Sequence, residues 1–166
     1  MISREEMSFE QEFTEKVDGY LAKLTDKLQP ILKQLIEHDY PQEVATLAFE
    51  VFVDRFSSQF PVRVFFMDKD NIEYFVELDG KAAYPSPVNP SLLDIDHVYP
   101  DEFEEEYIDK DEDLDPWQIA TNALIEWFSK CWIAAGGKSF KLKANIAPHD
   151  SHYEFNLVES QWQERC

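Results

Sequence analysis

The sequence is poor in the residues on which several kinds of functional site depend. It contains only 4 glycines and 2 cysteines among 166 residues. So few glycines leave no glycine-rich loop for a phosphate group, and no G-x-S-x-G nucleophile elbow is present. The cysteines, Cys131 and Cys166, are too few for a disulfide framework or a cysteine metal site. These absences argue against nucleotide-dependent and nucleophilic enzymes.

Long apolar segments are also missing. No apolar run approaches the roughly 20 residues that a membrane-spanning helix requires. Residues 1–12 are charged and lack the apolar stretch of a signal peptide. Cys131 lies within an apolar helical pattern, which predicts a buried thiol. We therefore expect a soluble, reduced, cytoplasmic protein that does not associate with membranes.

Basic residues are scarce, and the charge they leave uncompensated is unevenly distributed. The chain has 15 Lys and Arg against 34 Asp and Glu, for a net charge of −19. Because no local basic patch is present, direct binding to nucleic-acid phosphates is not expected. Residues 94–115, which we call the acidic segment, hold twelve acidic residues and one lysine, or −11, whereas the other 144 residues carry −8.

Hydrophobic and aromatic residues make up 44% and 14% of the chain, enough for a folded domain over residues 1–166. Apolar residues recur every three or four positions over residues 8–36, which predicts a helix with a kink or break near Gln29, before Pro30. A second helix is predicted to run from residues 39–41 to about Ser58. A third begins at the capping sequence of residues 115–118 and stops at Gly136 and Gly137.

Alternating patterns predict two β-hairpins. The first joins residues 62–67 to 72–78 across a short loop in which Asn71 is left-handed, and it places Arg63 opposite Glu77 and Phe65 opposite Phe75. The second joins residues 140–146 to 153–157. The order α-α-β-β-loop-α-β-β predicts a single α+β domain, with an antiparallel sheet built from two hairpins and helices packed mainly on one face. Residues 80–115 are predicted to form a long loop, proline-rich and then acidic.

The acidic segment is the strongest candidate for a partner-binding site. If Pro100 begins a short helix, Phe103 and Tyr107 share one face within a ring of carboxylates. Charge would speed encounter with a basic protein surface, and buried rings would supply affinity. A solvated loop tethered by its rings is the alternative. The predicted contacts are Tyr99, Asp101, Glu102, Phe103, Glu104, Glu105, Glu106, Tyr107, Asp109, Asp111 and Asp113.

Two groups of residues are weak candidates for a metal site. Alternate aspartates at 109–115 resemble the start of an EF-hand loop, but Leu114 and Ala120 stand where glycine and glutamate are required. His149, Asp150 and His152 bring two imidazoles and a carboxylate into one turn, and Asp96 and His97 are further possible ligands. This spacing is not an established ligand pattern, and the turn residues have backbone roles of their own. The sequence thus predicts no cofactor and no assigned catalytic residue.

Three functional hypotheses remain open. The first is a small non-enzymatic binding protein that presents the acidic segment to a basic toxin or nucleic-acid-binding protein. Bacterial immunity proteins and nucleic-acid mimics use the same physics, although the analogy is one of charge alone. The second is a metal-dependent hydrolase using the His149–His152 turn. The third is a homodimeric regulatory or scaffold domain with Phe65 or Trp132 at its interface.

Overall fold

The computed structural model describes residues 9–52, 61–93, 105–106, 116–149 and 151–165. Its main helices are α1 Phe9–Ala22, α2 Thr25–Glu37 and α3 Pro116–Ala134. The strands are β1 Thr46–Val51, β2 Val62–Met67, β3 Val76–Leu78, β4 Lys81–Ala83, β5 Ser91–Leu93, β6 Lys143–Pro148, β7 Tyr153–Asn156 and β8 Gln161–Glu164. The predicted α+β class is confirmed.

The first helical stretch breaks earlier than predicted. α1 ends at Ala22, and the amide of Leu24 donates to the Leu21 carbonyl at 2.9 Å in the turn before α2. Pro30 lies inside α2 on its exposed side. The opposite side of α2 carries fully buried leucines into the core. Burial of that side outweighs the hydrogen bond lost at Pro30, so α2 continues through this residue and the break predicted near Gln29 is wrong.

The largest correction concerns the predicted second helix, since residues 46–51 form strand β1. Leu47, Phe49 and Val51 are buried and alternate with partly exposed residues, which is the period of a strand. Eight of the ten residues from 44 to 53 are apolar, so the local pattern fits both periods. Pairing with β2 on one side and β6 on the other decides in favour of the strand. Residues 53–60 lie outside the described part of the chain.

Strand β1 makes the sheet mixed rather than purely antiparallel. The six strands lie in the order β5-β2-β1-β6-β7-β8. The central pair, β1 and β6, is parallel, and the other pairs are antiparallel. Strands β5 and β8, which were not predicted, form the two edges.

The first predicted hairpin is reduced to its turn and one bridge. Asn71 has a φ of 61°, in the left-handed region as predicted, and Met67 pairs with Glu73 in the predicted register. The chain then leaves β2, and β3 pairs with β4 in a separate two-stranded sheet. Asp79 and Gly80 connect these two strands with φ values of 53° and 78°. Two consecutive left-handed residues suit a two-residue hairpin turn. This Asp-Gly turn pairs β3 with β4, in place of the predicted pairing of the same residues with β2.

Phe66 lies opposite Tyr74 as predicted, with the Tyr74 amide donating to the Phe66 carbonyl at 2.7 Å, but the predicted pairs of Arg63 with Glu77 and Phe65 with Phe75 are wrong. β5, not residues 75–78, lies beside β2, with Arg63 opposite Ser91. The Arg63 guanidinium instead donates to the Tyr84 hydroxyl at 2.6 Å and lies 5.4 Å from the Phe65 ring centroid. At the other end of the sheet, β6 and β7 pair antiparallel, and β8 continues from β7.

The hydrophobic core combines buried side chains of the three helices with buried side chains of the sheet, among them Phe49. Trp132 of α3 is fully buried there, with its ring centroid 5.7 Å from that of Phe49 and 5.3 Å from that of Phe140. Trp132 is therefore a core residue and not an exposed contact. Cys131 is buried as predicted, and burial raises the pKa of its thiol. A buried thiol with a raised pKa is poorly suited to nucleophilic chemistry.

Asp18 of α1 provides a test of how α1 packs against α3. Partial burial raises the pKa of Asp18, and the nearby Glu126 carboxylate of α3 raises it further. A raised pKa means that ionisation of Asp18 disfavours the native state, so this destabilisation declines as the pH falls through the native pKa and is absent below the unfolded value of about 3.9. We expect Asp18→Asn to stabilise the protein at pH 7 by only a few tenths of a kcal/mol, because water still screens a carboxylate that is buried only in part. The gain should vanish in acid, as measured by urea unfolding across the pH range.

Asp26→Asn is the charge-matched control for this prediction. Asp26 lies in the first turn of α2, where a carboxylate interacts favourably with the helix dipole. Its neutralisation is expected to lower stability by about the same small amount. An equal gain from both variants would show that net charge alone, and not the surroundings of Asp18, sets the effect.

Candidate functional site

One end of the sheet gathers the carboxyl ends of the two parallel strands. Val51, near the end of β1, lies opposite Val62 of β2 and Pro148 of β6, and Val62 also lies opposite Leu93 of β5. The connections that follow β1, β5 and β6 therefore all leave from this end. Ligands in sheets with parallel strands commonly bind outside the carboxyl ends of those strands. We refer to this region as the carboxyl end of the sheet.

The acidic segment begins at the carboxyl end of the sheet, because Leu93 is the last residue of β5. Of its predicted contacts, the structure describes only Glu105 and Glu106, which are helical and exposed. The remaining predicted contacts lie outside the described residues. These are Tyr99, Asp101, Glu102, Phe103, Glu104, Tyr107, Asp109, Asp111 and Asp113.

The His149–His152 turn starts at the same end. Pro148 and Leu93 are separated by three strand spacings, or roughly 14 Å. The His149 Nδ1 atom lies 3.4 Å from Glu50 Oε2, and its ring centroid is 4.6 Å from that of Phe52. His152 is exposed, and its carbonyl accepts a hydrogen bond from the Arg165 amide. Asp150 lies outside the described residues.

An ion-pair network that the sequence did not predict joins this turn to the sheet. Arg165 Nη2 donates to Glu50 Oε1 at 2.8 Å, and Arg165 Nε lies 3.9 Å from Glu154 Oε1. The Arg165 side chain is 27% exposed and that of Glu50 14%, so water screens this pair only in part. The guanidinium also contacts the Ser151 carbonyl at 3.4 Å. Through the Arg165 side chain, which follows β8, the network links the edge strand to the central strand β1 across β6 and β7.

This network borders a groove of about 840 Å³ on the face of the sheet opposite Phe49, which we call the polar face. Its amides form a chain: Asn156 Nδ2 donates to Gln163 Oε1 at 3.2 Å, and Gln163 Nε2 donates to Glu154 Oε2 at 2.6 Å. The ionisable side chains that line it are nearly balanced in charge, unlike the rest of the molecule. They comprise the acids Glu50, Asp68, Glu73 and Glu154 and the bases Lys69, Lys143 and Arg165, with His152.

The hydrogen bonds of Glu50 and Arg165 limit the chemistry available at the polar face, although Glu73 Oε1, which also lines the groove, is buried without a hydrogen-bond partner among the described residues. One Glu50 oxygen accepts from Arg165 and the other lies beside His149, so neither is left to accept a proton from a substrate. Within the described residues, no group of three His, Cys, Asp or Glu side chains is placed to share a metal ion. Glu50 and Arg165 therefore fix the position of the His149–His152 turn relative to the sheet.

Sequence reasoning missed this network because its members are far apart along the chain. Glu50 and Arg165 are separated by 115 positions, and only the order of the strands brings them together. The alternating pattern predicted that Glu154 and Phe155 lie on opposite faces of their strand, but it did not predict which residues Glu154 contacts.

Comparison with known proteins gives no match to a protein family, to a curated protein or to a solved structure. Among the helices of the described residues, none is long and apolar enough to cross a membrane.

Proposed function

We propose that this chain is a non-enzymatic binding protein whose acidic segment docks on a basic surface of a protein partner. The observation that carries this proposal is the concentration of charge: residues 94–115 hold −11 of the total −19. An array of carboxylates competes for cationic sites that are shaped to bind phosphate. A nuclease toxin or another nucleic-acid-binding protein is therefore the kind of partner that this charge suits.

The way the segment is joined to the domain supports a binding role. It follows β5, which is hydrogen-bonded to β2, and it precedes α3, whose buried residues form much of the core. Both ends are thus fixed by folded structure. Fixed ends reduce the conformational freedom that a segment loses when it binds, which favours affinity.

Neither alternative function gains comparable support. Self-association through acidic surfaces would bring like charges together. Phe65, one of the two residues predicted at a dimer interface, lines the polar face, and the other, Trp132, is buried. The hydrolase hypothesis needs a set of ligands, and His149 is engaged with Glu50 and Phe52.

Neutralising the segment should slow association with the partner. The partner is first isolated on the immobilised protein at low ionic strength and then purified. We expect its association rate with the Glu104→Gln, Glu105→Gln, Glu106→Gln variant to fall by about tenfold, because electrostatic steering accelerates encounter. The wild-type rate should itself fall steeply with added salt. Stopped-flow or surface-based kinetics would measure both effects.

A variant with the same change in net charge separates steering by the segment from a general effect of charge. Glu15→Gln, Asp26→Asn and Glu77→Gln neutralise three exposed carboxylates distributed over the described domain. This variant should associate at close to the wild-type rate. The proposal fails if the two variants behave alike, if association is independent of salt, or if no protein is retained at low salt.

A further inference from the structure

Strand β8 presents an open hydrogen-bonding edge. Within the described residues it pairs only with β7, through the register Tyr153–Glu164 and Phe155–Trp162. The Arg165 amide donates to the His152 carbonyl at 2.9 Å just beyond these pairs. Hydrogen-bonded and non-hydrogen-bonded pairs alternate along an antiparallel ladder. The amide and carbonyl groups of Trp162 and Glu164 therefore face outward, away from β7.

An apolar groove lies directly beside this edge. It has a volume of about 620 Å³ and lies between α3 and strands β7 and β8. Trp162 is 48% exposed and Ile133 39% exposed at its rim. The Phe155 and Trp162 rings meet edge to face with centroids 5.6 Å apart. Tyr153, 54% exposed, is on the same strand face and extends the patch. Clustered exposed aromatic side chains are typical of a protein-binding surface.

The rim of the groove is acidic. Exposed carboxylates at Glu126, Glu159 and Glu164 surround it or flank the strand. Among the described residues, Lys130 is the one lysine that lines the groove, and it lies 3.5 Å from Glu126, with which it is paired. This charge favours an occupant that carries lysine or arginine. It disfavours a second copy of the same edge, which would place these carboxylates against one another.

We infer that β8 and this groove bind an extended segment of a partner protein, with apolar side chains at alternate positions and basic residues flanking them. The segment would continue the sheet as a further strand, with its backbone bonded to the outward groups of Trp162 and Glu164. Its alternate side chains would enter the groove beside Trp162 and Ile133. Strand addition of this kind draws affinity from the backbone and specificity from side-chain pockets. The inference does not rest on the proposed function, because the acidic segment takes no part in it.

Selection of random peptides displayed on phage against the whole protein tests the inference. Selected peptides should share alternating apolar residues with flanking lysine or arginine, and their affinities are then measured by fluorescence anisotropy. Trp162→Ala should weaken binding by roughly thirtyfold, the effect of losing a central aromatic contact. Glu164→Pro should weaken it by about tenfold, because it removes one outward amide. Glu164→Gln keeps that amide and loses only the carboxylate, so it should weaken binding much less than Glu164→Pro does.

Phe75→Ala is the matched aromatic control, since Phe75 is 40% exposed and follows the turn after β2, outside the groove. It should leave binding unchanged. If thermal unfolding shows that a β8 variant does not fold, Ile133→Asn on the helix side of the groove is tested in its place and should also weaken binding. The inference is overturned if no peptide is selected, or if the selected peptides bind the Trp162→Ala and Ile133→Asn variants as tightly as the wild type. It is also overturned if sedimentation shows a dimer that Trp162→Ala dissociates.

Discussion

Replacing Phe49 with alanine should lower the free energy of unfolding by about 4 kcal/mol. Phe49 is fully buried at the centre of the sheet, and its ring centroid lies 4.9 Å from that of Phe128 and 5.7 Å from that of Trp132. Truncation removes the apolar area of the ring and leaves a cavity that two large aromatic neighbours cannot easily fill. Urea unfolding followed by circular dichroism gives the change directly.

The same position tests whether residues 46–51 form a strand or a helix. On the helix predicted from sequence, Phe49 lies off the apolar stripe that includes Leu47 and Ala48, so its truncation would cost little. In the strand, Ala48 instead points to the polar face. Ala48→Thr should therefore change stability by less than about 0.5 kcal/mol. If residue 48 lay in the buried stripe of a helix, the larger threonine side chain would cost about 1–3 kcal/mol. A small effect at Phe49 with a large one at Ala48 would contradict the strand.

A methyl group added at Gly137 should cost about 3 kcal/mol of stability. A Cβ at this position would lie 2.6 Å from Cε2 of the Trp132 indole and closer still to Nε1 and Cδ1. Trp132 has no room to withdraw, because it is fully buried between Phe49 and Phe140. Gly137→Ala therefore forces the core apart where α3 turns towards β6. Thermal and urea unfolding would both record the loss.

Two further variants separate this clash from the backbone preference of glycine. Gly136 has a φ of 100°, and a methyl group added there would meet nothing within 4 Å, so Gly136→Ala should cost only about 1 kcal/mol. Trp132→Phe removes Nε1 and the fused six-membered ring, and the smaller phenyl ring can shift away from a methyl group at residue 137. Combined with Gly137→Ala, it should recover about 1–2 kcal/mol relative to additivity in a double-mutant cycle. Strict additivity would show that the indole is not the cause.

Local signals predicted the elements that depend on local structure. The proline near the start of α3 and the glycine pair after it bracket that helix as expected, and its stripe of Leu124, Phe128 and Cys131 is buried. Asn71 is left-handed as expected. Each of these outcomes follows from the conformational preference of a few neighbouring residues.

Elements that depend on distant partners were missed. β1 is a strand because β2 and β6 lie on either side of it, and β6 is formed by residues far along the chain. The Asp79–Gly80 turn is a local signal, but the longer alternating pattern before it favoured a different hairpin. At the candidate site, the Glu50–Arg165 pair follows from strand order alone. The charge of the acidic segment is evident from composition, and its role as a binding site stays a prediction.

The parallel pairing of β1 with β6 also constrains the order in which the chain acquires its structure. Val51 and Pro148 are register partners, so the loop that their contact closes contains β2 to β5, the acidic segment and α3. During synthesis, β1 has an open edge until residues 143–148 leave the ribosome. Closing so long a loop is slow, and an open central strand is a surface on which unfinished chains aggregate. The sheet is therefore completed late, and folding of this protein depends on nascent β1 remaining unpaired with other chains.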